Sequence, residues 1–337
     1  MTDSRGSGEA QTVLGARPVS ELGSTLMHEH LNSLVPGNWL GGGREVDQAE
    51  VAVRALEPAR DRGIRTVVDV TTVGAGLGRD VGVLARIAEA LGINVVASSA
   101  FYKDPLLPEW VVEADVEELT SFHVREAREG IDGTDIKAGI LGEVGSSLHR
   151  ITPDEEKCLR AIARAHQVTG LPISTHCTLG TMALEQIDLF REEGVDLERV
   201  VIGHLDLAAA DLDYLLAVLE TGVTIAFDTI GKQWFDYVVR EPVERGEGEL
   251  VKWTYCRPDR VRIEALRSLV ERGHADRIVL SLDLTGRETY LNGDTIGEFG
   301  YSYLYDSFLP ALQGAGVSES DIDRMLIRNP ARILAVE

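Results

Sequence analysis

Two histidines one residue apart are the first residues in this chain whose spacing could do chemistry. The run Thr25–Leu31 (TLMHEHL) reads as a β-strand, and because strand side chains alternate sides, His28 and His30 face the same way. Two imidazoles so placed can chelate one metal ion. The pair alone is weak evidence, since histidines on a strand more often serve as hydrogen bonders in a core. Its weight depends on where the other histidines and carboxylates fall.

The rest of the chain supplies the elements that would position them. Strands rich in β-branched residues are expected at Ile64–Thr71, Ile93–Ser99, Ile136–Glu143, Pro172–His176, Arg199–His204, Thr224–Asp228 and Arg277–Asp283. Helical patterns stand between them, at about 46–62, 80–90, 115–128, 152–169, 182–193, 211–220 and 259–271. Pro58 should kink the first or split it in two. Many of these helices stop at a glycine, such as Gly92, Gly170 or Gly194, and Thr152, Pro153 and Glu155 form a capping-box start. Eight strands, with a helical stretch between each and the next, argue for a single (β/α)8 TIM barrel over residues 19–337. The rival, a doubly wound open sheet, would need fewer units and a glycine-rich turn after an early strand, and the sequence has none there.

In such a barrel the active site is built at the C-terminal strand ends. Those ends carry His28 and His30, Glu143, His176, His204 and Asp283, all of them metal-ligand types on five different strands. Four histidines and two carboxylates exceed the needs of one ion, while a pair of ions about 3.5 Å apart needs an anionic bridge. Glu143 is the bridge this set offers. Lys137, which could bridge if carboxylated, lies six residues earlier on the same expected strand, roughly 20 Å lower in the barrel.

The motifs His28–His30 (HEH), Lys137–Ser146 (KAGILGEVGS), Ser174–His176 (STH), Ile202–Asp206 (IGHLD), Phe227–Lys232 (FDTIGK) and Ser281–Asp283 (SLD) closely resemble the phosphotriesterase family of the amidohydrolase superfamily. They are most similar to its phosphotriesterase homology branch, which has glutamate in place of a carboxylated lysine. The resemblance runs from about Val19 to the C-terminus and implies a binuclear centre. One ion, the more buried, would be held by His28, His30, Glu143 and Asp283, and the other by Glu143, His176 and His204. Two divalent ions are implied, zinc first, with manganese, cobalt or iron compatible with the same donors. Possible homodimerisation belongs with the resemblance as well.

The expected chemistry is hydrolysis by a metal-bridging hydroxide, with Asp283 accepting the proton. The scissile bond expected is an ester, lactone or N-acyl amide carbonyl, with a phosphoric ester as the alternative. A metal-binding interaction protein without activity is the reading from another class. Tyr102, Arg287 and Lys232 are candidate substrate contacts. Asp206 is a candidate for orienting a histidine or relaying a proton, or else a turn cap. The segment 232–257, with Trp234, Phe235, Tyr237, Trp253 and Tyr255, is a candidate lid, or alternatively a dimer contact.

Composition narrows the partners. With 33 basic against 55 acidic residues the net charge is −22, which disfavours nucleic acid and anionic membrane surfaces and leaves a small-molecule substrate. Three widely spaced cysteines, Cys158, Cys177 and Cys256, suit a reducing cytoplasm. Residues 1–18 read as a flexible tail and lead-in, without the layout of a signal peptide.

Overall fold

The computed structural model describes residues 8–33, 47–74, 78–232, 258–286 and 300–336. Its centre is one sheet of eight parallel strands: β3 (Ser24–Glu29), β4 (Ile64–Asp69), β5 (Asn94–Ser99), β6 (Ile140–Ser146), β7 (Ile173–Cys177), β8 (Val200–Ile202), β9 (Thr224–Phe227) and β10 (Ile278–Leu280). Each strand pairs with the next in sequence, so the order is that of a (β/α)8 barrel. The seam between β3 and β10 is closed above the strands by an isolated parallel bridge between His30 and Thr285. There Asp283 N donates to His28 O (3.1 Å), His30 N to Leu284 O (3.1 Å) and Gly286 N to His30 O (2.9 Å).

Two apolar cores follow from strand alternation. One fills the barrel interior with Met27, Val68, Val96, Ile140, Val201, Ala226 and Val279. The other, between the strands and their helices, takes the alternate residues, among them Leu26, Val67, Val95, Leu141, Ile202, Phe227 and Leu280. The helices start and stop as their local chemistry dictates. The helix Val116–Arg128 begins at an Asp115–Glu118 capping box, and Pro153–Thr169 at the Thr152–Glu155 box, ending on left-handed Gly170. Among the described residues no helix is long and apolar enough to cross a membrane.

Three expectations need correction. Residues 9–18 are not a tail: β1 (Glu9–Thr12) and β2 (Gly15–Pro18) form an antiparallel hairpin. It is fastened by Val13 N to Val95 O (2.8 Å) and by Glu9 and Val336, which exchange backbone bonds. Pro58 does not split its helix in two: one helix runs from Gln48 to Asp61. The proline sits in the last turn, where it removes only one backbone bond. Finally, β6 begins at Ile140, not Ile136, so Glu143 lies within the strand and Lys137 before it. The candidate lid falls outside the described residues beyond Lys232.

Candidate metal centre

Alternation alone would turn at least three of the expected ligands the wrong way. Met27 and Ile140 face the barrel interior, so in regular strands His28, His30 and Glu143 would face the helices. Both strands break register at that point, β3 between Leu26 and Glu29 and β6 between Leu141 and Val144. The irregularity returns each side chain to the barrel axis. Gly142 permits it, because a Cβ there would collide with the backbone carbonyl of Ser174 on the neighbouring strand. Gly203, just before His204, is in the same position against the carbonyl of Thr175. His204 and Asp283 adopt left-handed backbone, at φ 60° and 53°, a conformation non-glycine residues hold only where their surroundings enforce it.

The six expected ligands converge. His28 Nε2 lies 3.3 Å from Glu143 Oε2, and His30 Nε2 lies 3.2 Å from both Glu143 Oε1 and Asp283 Oδ1. On the other side His176 Nδ1 is 3.0 Å and His204 Nε2 3.6 Å from Glu143 Oε2. Two groups with metal-ligand proximity result, His28–His30–Glu143 and Glu143–His176–His204, and Glu143 is common to them. Asp283 forms a third with His28 and His204. Donors about 3.3 Å apart match the edge of a tetrahedron around a zinc-sized ion with bonds of about 2.0 Å.

The outward side of each ring tests whether a cation fits. Thr178 Oγ donates to Ser146 O (2.7 Å), so it accepts from His176 Nε2 (3.1 Å) and leaves the Nδ1 lone pair facing inward. His204 Nδ1 donates to Asp228 Oδ1 (2.8 Å), leaving Nε2 facing inward. These two inward nitrogens are 2.7 Å apart, and two lone pairs at that distance require a proton or a metal ion between or beside them. His28, fully buried, has no aligned hydrogen bond at either ring nitrogen, although its Nδ1 lies 3.2 Å from Asp228 Oδ2. The donor set therefore fits divalent ions.

The electrostatics agree. Burial opposes the Glu143 charge, but His28 and His176 overcome it and hold the carboxyl well below its usual range. Burial likewise opposes charging His204, yet Asp228 and Glu143 raise it well above an ordinary imidazole. Burial works against His30 too, and Asp283 and Glu143 still bring it up to about 10. Asp283, also buried, is kept well below the carboxylate range by Lys232 and His30. The carboxylates hold the neighbouring imidazoles protonated, a positive charge that bound cations would replace.

Of the remaining candidates, Tyr102 is buried with its hydroxyl 3.3 Å from both ring nitrogens of His176. Lys232 Nζ donates to Asp283 Oδ2 (2.7 Å). Arg287 lies outside the described residues. Asp206 does not orient a histidine. It accepts from Arg262 Nε (2.5 Å), Thr229 Oγ1 (2.5 Å) and Thr229 N (3.2 Å), because the 3-10 turn after His204 points it toward the helix that begins at Asp259. Arg262, with no exposed surface, also reaches Asp259 Oδ1 (2.8 Å) and the carbonyl of Lys232 (3.3 Å), so this network fixes the loop carrying Lys232.

Two supporting residues were missed from sequence. Asp228, buried after β9, takes the Nδ1 proton side of His204 together with the His204 backbone N–H (3.0 Å). The signal for it was its place at a strand end like the ligands. Glu29, between the two histidines, accepts from Ser281 Oγ (2.7 Å), Leu282 N (2.8 Å) and Leu284 N (2.8 Å). Burial pushes its carboxyl up, while those three donors pull it back toward the carboxylate form that accepts from all of them.

The parallel eight-stranded barrel, the histidines and carboxylates gathered at its C-terminal mouth and the family that the sequence matches together define a hydrolase. Residues 8–334 match the Phosphotriesterase family, and the chain belongs to it. The phosphotriesterase homology protein of Escherichia coli K12 is 38% identical over 92% of this chain and 97% of its own length. Its crystal structure, with phosphate in the active site, superposes with a TM-score of 0.79, covering 93% of this chain and 99% of that one. The N-acetyltaurine hydrolase of Dictyostelium discoideum is 34% identical over 87% of this chain and 75% of its own. A protein engineered for organophosphate hydrolysis from a weak promiscuous lactonase template is 30% identical, with a TM-score of 0.82 over 97% of this chain and 100% of that one.

Proposed function

We propose that this phosphotriesterase-family hydrolase cleaves a carbonyl substrate at a binuclear metal centre, an N-acyl amide first and lactones or esters as related substrates. The observation that carries the reading is the placement of Asp283, whose Oδ1 faces His30 while Lys232 holds Oδ2. The resemblance to an N-acetyltaurine hydrolase and to a lactonase-derived protein supports carbonyl chemistry.

His28, His30, Glu143 and Asp283 would hold one divalent ion, and Glu143, His176 and His204 the other, zinc being the first expectation. Bound there, the ions supply Lewis acidity and acidify a water at neutral pH. Asp283 Oδ1 accepts the proton that water loses as its oxygen attacks the carbonyl carbon. Asp283 then returns the proton to the leaving nitrogen as the C–N bond breaks, giving a carboxylic acid and an amine, and the acid's own proton passes to the amine to leave a carboxylate and an ammonium. Tyr102 donates from its hydroxyl to the carbonyl oxygen. Lys232 offers its ammonium to an anionic group on the amine portion, exchanging its contact with Asp283 for one with substrate.

The test pairs metal analysis with a panel of N-acetyltaurine, N-acetyl amino acids, γ- and δ-lactones, 4-nitrophenyl esters and a 4-nitrophenyl phosphotriester. The expected result is about two ions per chain and preferential turnover of amide or lactone, with Asp283→Asn lowering kcat by about 10²-fold or more. Preference for the phosphotriester would replace the carbonyl reading with phosphoric ester hydrolysis. Full metal content with no turnover of any substrate would favour a binding role.

A further inference from the structure

Asp283 stands on an unusual piece of chain. The amides on either side of it, Leu282 N and Leu284 N, both donate to Glu29, one to each carboxyl oxygen (2.8 Å each), while its own N–H donates to His28 O (3.1 Å). Three successive amides therefore point at one neighbouring strand. A regular strand sends alternate amides to opposite sides, and the turn at Asp283, with φ at 53°, is what lets all three converge. The Ser281 hydroxyl completes the grip, donating to Glu29 Oε1 (2.7 Å) and accepting from His28 N (2.9 Å). Closing the barrel does not require this arrangement, because three backbone bonds from Asp283, His30 and Gly286 already span the seam. What Glu29 adds is control of the peptide units on both sides of one residue, and hence of the direction in which that residue's side chain leaves the chain.

We propose that Glu29 is a positioning residue that sets the Asp283 carboxylate on the metal centre by gripping the two flanking amides. The inference rests on the reading of Asp283 as a ligand and proton acceptor. In that arrangement the two inward histidines of the first strand and the carboxylate of the last are registered by the residue between those histidines, so one short segment builds both halves of an ion's surroundings.

Replacement by glutamine tests it, since the amide NH2 cannot accept and must face Leu284 N or the pair Ser281 Oγ and Leu282 N. Wild type, E29Q, D283N and the double variant would be titrated with Co2+, reading the visible absorption of the bound ion and its Kd by competition with a chelator, alongside Tm. The expected result is that E29Q weakens Co2+ binding about 10-fold or more and changes its spectrum. In the D283N background the same replacement should change Kd less than about threefold, even where it still lowers Tm. If E29Q does not fold, E29D, too short to hold both amides, carries the same cycle. An equal loss of affinity in both backgrounds, or an unchanged spectrum in E29Q, overturns the role. Wild type that binds no Co2+ would instead overturn the metal-centre reading.

Discussion

Asp228→Asn isolates the outer support of the centre from the ligands themselves. Asp228 has no exposed surface, and its carboxylate takes the His204 ring at Nδ1 (2.8 Å) and the His204 backbone N–H (3.0 and 3.1 Å), with His28 Nδ1 3.2 Å away. A carboxylate suits both His204 contacts, and the nearby His28 ring, because each of its oxygens accepts. Asparagine has one accepting oxygen, so its NH2 group must confront a donor, or one imidazole must move its proton to the nitrogen that faces the ions. Either outcome costs a charge-assisted hydrogen bond, about 1.5–3 kcal/mol. That corresponds to roughly 10- to 100-fold in metal affinity. Chelator competition with Zn2+ or Co2+ measures it. Asp206→Asn is the control, since that carboxylate is equally buried but serves Arg262 and Thr229. Breaking its ion pair should cost about 3–5 kcal/mol of stability while leaving metal affinity near wild type. The reasoning is refuted if Asp228→Asn binds within twofold of wild type, or if Asp206→Asn weakens the metal more than Asp228→Asn does.

Glu143→Gln removes the residue common to both ligand groups and should lose most of both ions by elemental analysis; retention of two would reject the shared bridge. Loading of the wild type should not respond to bicarbonate, because a glutamate needs no carboxylation. Lys232→Met should raise KM for N-acyl amides with an anionic amine portion about 10-fold and leave KM for neutral lactones near wild type; an equal rise for both would remove Lys232 from substrate recognition. His123 gives a pH test away from the site. It is buried against Phe101 and Phe122, and burial, followed by the charge of Arg79, lowers its pKa from 6.5 to about 3. As pH falls below 6.5 the unfolded chain takes up this proton and the folded chain does not, so folding stability drops about 1.4 kcal/mol per unit until about pH 3. By pH 5 the loss is about 2 kcal/mol. Urea unfolding at pH 7.5 and 5 should show His123→Gln losing about 2 kcal/mol less than wild type between the two; equal losses would refute the assignment.

The repeating units were legible because their signals are local. Strands such as Ile64–Asp69 and Asn94–Ser99 announce themselves by β-branched runs, and the helix Pro153–Thr169 by a capping box before it and a glycine after it. The hairpin Glu9–Pro18 was not legible, since what holds it is remote: Val336 at the far end of the chain and Val95 at the foot of β5. The helices that pack after residue 300, including Leu309–Gly314 and Asn329–Leu334, also went unread. Pro58 leaves its helix in one piece for a related reason, because a breaker's effect depends on how much helix lies beyond it.

The ligands could be read as a list of strand ends, but the list conceals two physical facts. Strict alternation from Met27 and Ile140 would have sent His28, His30 and Glu143 outward, and only the register breaks restore them. The histidine's supporting aspartate was sought in Asp206 because it is two residues from His204 in the chain. Sequence proximity was the wrong metric: a residue past the end of a strand turns away with its loop, whereas the neighbouring strand runs alongside. β8 pairs with β9 with Ile202 opposite Ile225, so the chain leaving β9 carries Asp228 past His204. Glu29 reaches the peptides around Asp283 by the same route, across the seam from the first strand to the last. In a sequentially ordered barrel the support for a residue at one strand end is therefore best sought at the ends of the adjacent strands. Asp228 closes its strand beside a histidine for that reason, and Glu29 lies one position from two of them.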